Sequence, residues 1–277
     1  MTAQRVGILH PGEMGSAVGA TIRNSGHQVC WVSEARSHRT RARAESAGFN
    51  DVGSLAHLCE TCPVIVSVCP PEFAADLAEQ VLVHRFRGTY LDANAISPAH
   101  KQQIAARMQA DGVRFVDGGI IGLPPKAGGQ TWLYLSGEHA DSITGCFEAG
   151  PLDVEVIGKE IGKASALKMC YAGQNKGSIA LLIAVMSAAQ HFGVLDELRR
   201  TWARPGGPDK GDAHVLRASP KAWRWAPEMQ EIAATLESGG MPPEFHKAAA
   251  EVFEMLRGFK DAPPESIEEV LKKLQGS

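Results

Sequence analysis

The densest chemistry-bearing run in the chain is His10-Pro11-Gly12-Glu13-Met14-Gly15, which follows an apolar stretch at 6–9 and precedes a helical pattern carrying Ala17, Val18 and Ile22. Strand, tight glycine turn and helix in that order make a phosphate cradle. Gly12 lets the backbone approach a pyrophosphate, Gly15 lets helix and strand pack closely, and the helix N-terminus favours negative charge. His10 stands where the G-x-G-x-x-G fingerprint has its first glycine, so the motif rests on its strand-helix setting. About 20 positions further on, at the end of the next strand, an acid selects an unphosphorylated ribose and a basic residue admits a 2′-phosphate. Here Val32 is followed by Ser33-Glu34-Ala35-Arg36-Ser37, with Arg39 close behind. Ser33 takes the acid's place and Arg36 can grip a phosphate bidentately, which favours NADP(H) over NAD(H). Glu34 becomes a ribose ligand instead if the strand ends one residue later.

A second candidate is Lys168, in the apolar stretch 164–170, sharing a helical face with Ala164, Tyr171, Ala172 and Asn175. A lysine in such surroundings costs free energy unless it has a task.

These residues need elements to hold them. From residue 5 to about 157, short β-rich runs at 5–9, 28–32, 64–68, 89–91, 114–116, 131–135 and 154–157 alternate with helical stretches. That alternation predicts an α/β fold with a doubly wound parallel sheet covered on both faces. Ser97-Pro98 is a helix start, because serine caps orphan amides and proline's φ suits the first turn. Gly26 and Gly48 mark helix ends. After about residue 160 the β signals vanish, and Leu167, Tyr171, Ile179, Leu182, Ile183 and Met186 follow one long helix. The glycine- and proline-rich stretch 202–212 is expected to be a loop. The expected organisation is a dinucleotide-binding Rossmann domain over 1–160, then an all-α domain over 161–277 that begins with the interdomain helix. Apolar helical domains of this size often complete their core with a second copy, so a homodimer is expected.

With 277 residues, a net charge of −3, 44% hydrophobic and 21% charged residues, the composition is that of a globular protein. No Lys/Arg block offers the basic footprint that nucleic acid requires. The most apolar run, 179–189, is about half of what a bilayer needs. No long apolar region opens the chain, and the six cysteines (30, 59, 62, 69, 146, 170) form no disulfide framework, so a cytoplasmic protein with a small-molecule partner is expected. Cys59 and Cys62 have redox-motif spacing without a second ligand pair, and no histidine spacing points to a metal.

Several of these segments resemble the β-hydroxyacid dehydrogenases, the family of 3-hydroxyisobutyrate and 6-phosphogluconate dehydrogenases, which has imine reductases as relatives. Pro11-Gly12-Glu13-Met14-Gly15 is similar to the family's Leu-Gly-x-Met-Gly loop. Val68-Cys69-Pro70-Pro71 resembles the segment that runs along the cofactor after the fourth strand, and 92–98, with Asn94, resembles the next one. Gly162-Lys163-Ala164-Ser165-Ala166-Leu167-Lys168 resembles Gly-x-Gly-x-x-x-Lys, whose lysine is the family's proton carrier. The resemblance implies that Lys168 accepts the hydroxyl proton when an alcohol loses hydride, or donates it when a carbonyl gains one.

The chain departs from the family at three places. The family's asparagine four residues beyond the lysine is Ala172, so either Asn175 or Tyr171 is left to assist Lys168. The Ser-Gly-Gly carboxylate-binding segment falls at 117–124, where Ile121 replaces the serine. The run Asp117-Gly118-Gly119-Ile120 with its later proline resembles the imine reductase version of this loop. The second family lysine aligns with Gln230-Glu231-Ile232. Gly119, Ile120, Ile121 and Trp223 are therefore candidates to line a site for a bulkier or less anionic substrate, and Trp225, Met229 and His246 can join them or serve as packing. The leading expectation is an NADP(H)-dependent oxidoreductase acting on a hydroxy or keto compound. An imine or iminium reductase and a non-catalytic dinucleotide-binding protein are the alternatives.

Overall fold

The computed structural model describes residues 2–125, 130–205 and 211–275. It divides into two compact units, Met1–Met169 and Cys170–Ser277.

In the first unit, strands and helices alternate as far as β6, and two further strands follow: β1 (Arg5–Ile8), α1 (Glu13–Asn24), β2 (Gln28–Trp31), α2 (His38–Ser46), β3 (Asn50–Asp51), α3 (Leu55–Thr61), β4 (Val64–Ser67), α4 (Ala74–Val83), β5 (Thr89–Asp92), α5 (Pro98–Ala110), β6 (Arg114–Ile121), β7 (Trp132–Ser136) and β8 (Asp153–Gly158). Their strands form one sheet in the order β3-β2-β1-β4-β5-β6-β7-β8. Side chains alternate between its faces. Val6, Ile8, Val29 and Trp31 pack with Val18 and Ile22 of α1 on one face. On the other face Cys30, Ile65, Tyr90 and Phe115 pack with Leu58 of α3, Val81 of α4 and Met108 of α5. Ser97 caps α5 by accepting from the His100 amide at 3.4 Å, with Pro98 in the first turn. Gly26 and Gly48, at φ 87° and 70°, follow α1 and α2 as expected.

Three features differ from the sequence reading. Strand β3 is an additional strand of two polar residues that joins the sheet only through pairing with β2. The sheet is not wholly parallel: β1 to β6 run parallel, but β7 lies antiparallel to β6, and β8 parallels β7. Nothing helical separates β6 from β7 among the described residues, so β7 can return alongside its neighbour, as a hairpin does. Finally, β6 does not end at Val116 but continues through Gly118 and Gly119 to Ile121. Glycine weakens a strand interior, yet the register Gly118↔Leu135 and Gly119↔Tyr134 carries the ladder across both.

The long helix α6 (Lys163–His191) follows, and after Gly158 the described residues form no strand. Its early turns belong to the first unit. The second unit adds α7 (Leu195–Trp202), α8 (Asp212–Ala218), α9 (Ala222–Ser238), α10 (Glu244–Met255) and α11 (Ile267–Gln275). Of the expected loop 202–212, residues 206–210 lie outside the described residues. Gly173 and Gly177 let α10 close on α6, because a Cβ on either would stand 3.3 or 3.0 Å from the His246 ring nitrogen Nε2. That nitrogen also meets the Gly173 carbonyl at 3.1 Å. Lys176 of α6 pairs with the buried Glu228 of α9, and Trp225 packs edge-on to Phe253 of α10.

Candidate active site

The strand order reverses between β1 and β4. In an open parallel sheet that switch point is where a ligand reaches the carboxyl ends of the strands. The loop after β1 turns at once: the Gly12 amide bonds the His10 carbonyl at 2.8 Å, and Gly12 precedes the first residue of α1 in an extended conformation. Ser16 fastens the turn from within by donating its hydroxyl to the Pro11 carbonyl at 3.0 Å. A Cβ on Gly15 would lie 2.1 Å from the His10 carbonyl oxygen, so the helix starts closer to the strand than any other residue permits. This glycine-lined cradle at the N-terminus of α1, which side chains would fill, fits a dinucleotide pyrophosphate. Glu13 and Met14 open the helix, with Glu13 3.9 Å from the exposed Arg39.

At the end of β2, Ser33 donates its amide to Asp51 at 3.2 Å, while Glu34 is exposed. Arg36 turns back toward β1, donating Nη2–H to the Leu9 carbonyl at 2.8 Å and meeting His10 Nδ1 at 3.2 Å through Nη1. Burial, then the charges of Arg36 and Arg43, hold the His10 imidazole below its ordinary pKa. Ser37 caps α2.

Beyond β4, the Cys69 amide donates to the Asn94 side-chain oxygen Oδ1 at 2.6 Å, and Asn94 Nδ2 donates to the Ser67 hydroxyl at 3.0 Å. Asn94 is buried, so its side chain joins the ends of β4 and β5, and the segment from Cys69 through Pro70 to Pro71 leads into α4 by a single short turn. Burial, then Asp92, pushes the Cys69 thiol up to about 12, which leaves it protonated and a poor nucleophile.

The placement of Lys168 rests on residues that the sequence reading did not single out. Asp117 of β6 accepts from the Gly162 and Ser165 amides at 2.9 and 3.1 Å through Oδ2 and from the Ser165 hydroxyl at 2.6 Å through Oδ1. Ser136 of β7 donates to Asp117 at 3.0 Å and accepts from the Ala164 amide at the same distance. The orphan amides at the head of α6 are thus capped from the sheet. Lys101 of α5 meets Asp92 at 2.6 Å and Asp117 at 3.7 Å, and all three side chains are fully buried. Two carboxylates against one ammonium leave a negative charge facing the positive end of the α6 dipole. One step along β6, a Cβ on Gly119 would strike the Ala164 carbonyl at 2.5 Å and stand 3.1 Å from the Lys168 Cβ. The helix therefore lies directly on this strand, with Lys168 half-buried beside it.

Strand alternation places Ile121 on the same face as Asp117 and Gly119, whereas Ile120 points into the core cluster on the opposite face. Tyr171 and Asn175 are exposed one and two turns beyond Lys168 on the same continuous helix, within the second unit. Trp223 opens α9 there, its ring beneath the Lys260 ammonium at 4.0 Å. The carboxyl ends of β1, β2, β4 and β5 thus gather Gly12, Gly15, Ser33, Arg36, Cys69 and Asn94 on one edge of the sheet, and β6 carries Gly119 against Lys168. Among the described residues no cluster of His, Cys, Asp or Glu is arranged to hold a metal ion, and no helix is long and apolar enough to cross a membrane.

Comparisons with known proteins agree with this architecture. The NAD binding domain of 6-phosphogluconate dehydrogenase matches residues 5–146, and a domain of unknown function (DUF1932) matches residues 189–256. An uncharacterised 28.5 kDa protein of Methanothermus fervidus is 28% identical over 194 residues, 70% of this chain and 74% of its own length. A solved conserved protein of unknown function, described as structurally similar to 3-hydroxyacid dehydrogenases, is 27% identical with a TM-score of 0.66, covering 92% of this chain and 97% of that one. The 3-hydroxyisobutyrate dehydrogenase of Mycobacterium tuberculosis shares the fold at 16% identity, with a TM-score of 0.70 over 99% of this chain and 100% of that one. The chain belongs to the dinucleotide-binding dehydrogenase and reductase family built on the NAD-binding domain of 6-phosphogluconate dehydrogenase, a β-hydroxyacid dehydrogenase-like family.

Proposed function

We propose that this protein is an NADP(H)-dependent oxidoreductase acting on a hydroxy or keto compound, with Lys168 as proton donor or acceptor. The observation that carries the reading is the direct seating of the Lys168 turn on β6, which Gly119 alone permits, in a unit whose β1–α1 loop is a dinucleotide cradle. The nicotinamide supplies or accepts the hydride; the chain supplies the proton. An ammonium held against a strand can protonate an oxygen that gains charge, and the same amine can accept the proton in reverse. Gly12, Glu13, Met14 and Gly15 hold the pyrophosphate, Ser33 and Arg36 read the ribose phosphate, and the segments at Cys69–Pro71 and Asn94 run along the cofactor. Tyr171 or Asn175 assists Lys168, while Gly119 and Ile121 border the substrate. Arg36 supports NADP(H), because Ser33 takes the place of the acid that would select NAD(H) and a guanidinium follows three residues on.

The deciding experiment replaces Lys168 with Ala and follows NADPH binding and turnover separately over a panel of hydroxy and keto compounds. Binding is expected to persist while turnover falls by about 10² or more. Unchanged turnover overturns the role, and substrate-dependent NADPH consumption by the unaltered protein disposes of a purely non-catalytic reading.

A second reading, an imine or iminium reductase, is favoured by Ile121, which brings no hydroxyl to the face where the family's serine would hold a carboxylate. Turnover of cyclic imines without turnover of keto acids would establish it. We also assign the domains to 1–160 and 161–277, a cytoplasmic setting and a homodimer. The exposed apolar residues Leu181 and Val185 along α6, with Phe192 in the turn that follows it, support the dimer.

A further inference from the structure

The residue that breaks the glycine fingerprint is built into the loop. His10 is not among the residues of positive φ, so the backbone at this position does not require glycine. Its ring lies over the turn, with Cδ2 and Nε2 at 3.2 and 3.4 Å from where a Cβ on Gly12 would stand. Its other nitrogen, Nδ1, faces Arg36 Nη1 at 3.2 Å. A guanidinium can only donate, so Nδ1 is the acceptor and the imidazole proton resides on Nε2. The chain orients Arg36 at some cost: Ala35 takes a left-handed conformation at φ 55°, in a turn closed by the Arg36 amide on the Ser33 carbonyl at 3.2 Å. A non-glycine residue is uncommon there and tends to mark a site where position matters.

Bonds to Leu9 and His10 engage two of the five guanidinium N–H groups. Nε is buried with no hydrogen-bond partner in the protein. Two fixed contacts on a half-buried guanidinium leave its remaining donors pre-oriented beside the loop, which is what a doubly charged phosphate needs for bidentate capture.

We infer that His10 determines cofactor specificity: it holds Arg36 in the pose that receives the ribose 2′-phosphate. The inference rests on the NADP(H) reading above and deepens it. A glycine at this position, as in the fingerprint, would leave Arg36 tethered only by Leu9 and free to swing off the loop.

The test measures NADPH and NADH affinities by fluorescence titration for the unaltered protein, His10→Gly, His10→Asn, Arg36→Ala and the double variant His10→Gly/Arg36→Ala. Asparagine can place an acceptor near Nδ1, and glycine is the residue the fingerprint itself carries. His10→Gly is expected to lower the NADPH-to-NADH preference by about tenfold, the scale of one charge-assisted hydrogen bond, with NADH affinity little changed. His10→Asn should recover most of that preference. The double variant should lose no more than Arg36→Ala alone, because both act through one guanidinium. If Arg36→Ala loses the preference and His10→Gly keeps it, the role of His10 is overturned and the NADP(H) reading stands. If the unaltered protein prefers NADH, both are overturned; if Arg36→Ala leaves an NADPH preference intact, the roles of Arg36 and His10 are overturned while the NADP(H) reading stands.

Discussion

At the β1–α1 loop, position is set by the absence of atoms, whereas at the head of α6 it is set by buried charge. Gly15 admits the His10 carbonyl to within 2.1 Å of where a Cβ would be. Asp117, by contrast, gathers two amides, two hydroxyls and the fully buried Lys101 into one cluster. The difference teaches how each half can fail. A steric contact is lost in proportion to the shift that relieves it. A buried ionic cluster fails as a unit, because removing one member strands the others without partners in a medium that solvates them poorly.

The largest effect should therefore come from Asp117→Ala. Losing this carboxylate is expected to cost about 3–5 kcal/mol of unfolding free energy, read from urea denaturation, since Lys101 and the α6 amides stay buried. A cost below about 1 kcal/mol would remove the distinction between the two regions. Next come Gly15→Ala and Gly119→Ala, each expected to cost about 1–3 kcal/mol by overpacking. They should part in function. Gly15→Ala is expected to weaken dinucleotide binding, and Gly119→Ala to lower turnover more than binding, because its Cβ pushes on the Lys168 turn. A common loss of both properties in both variants would break the comparison.

The smallest effect concerns pH. Burial and the charges of Arg36 and Arg43 hold the folded His10 below the ordinary imidazole value of 6.5. As pH falls through 6.5 the unfolded chain takes up that proton first, so stability is lost toward the lower folded value. The contribution is fully present above 6.5. His10→Asn should flatten this part of a thermal-stability profile against pH, and an unaltered slope would show that the imidazole does not titrate as its surroundings dictate.

Much of the scaffold was legible because its signals are local. The strands at 5–9, 28–32 and 64–68, the cap at Ser97-Pro98, the stops at Gly26 and Gly48 and the long run of α6 follow from side-chain periodicity and backbone preference within a few residues. The orientation of β7 and the continuation of β6 through Gly118-Gly119 were not legible, because a strand's direction and extent depend on the partner that pairs with it. The same division runs through the candidate site. Spacing singled out Gly12, Gly15, Arg36 and Lys168 as candidates.

Amino-acid order by itself thus determined the element types, the glycine turn and an unusual lysine in an apolar helix. Only tertiary structure decided what holds them: Lys101 closing on Asp92 and Asp117, Asp117 reaching 45 and 48 positions to the α6 amides, and His10 meeting Arg36 across 26. Such contacts join residues whose sequence neighbourhoods carry no mark of one another. A buried ion pair is stable only through its partners, and those are chosen by the fold.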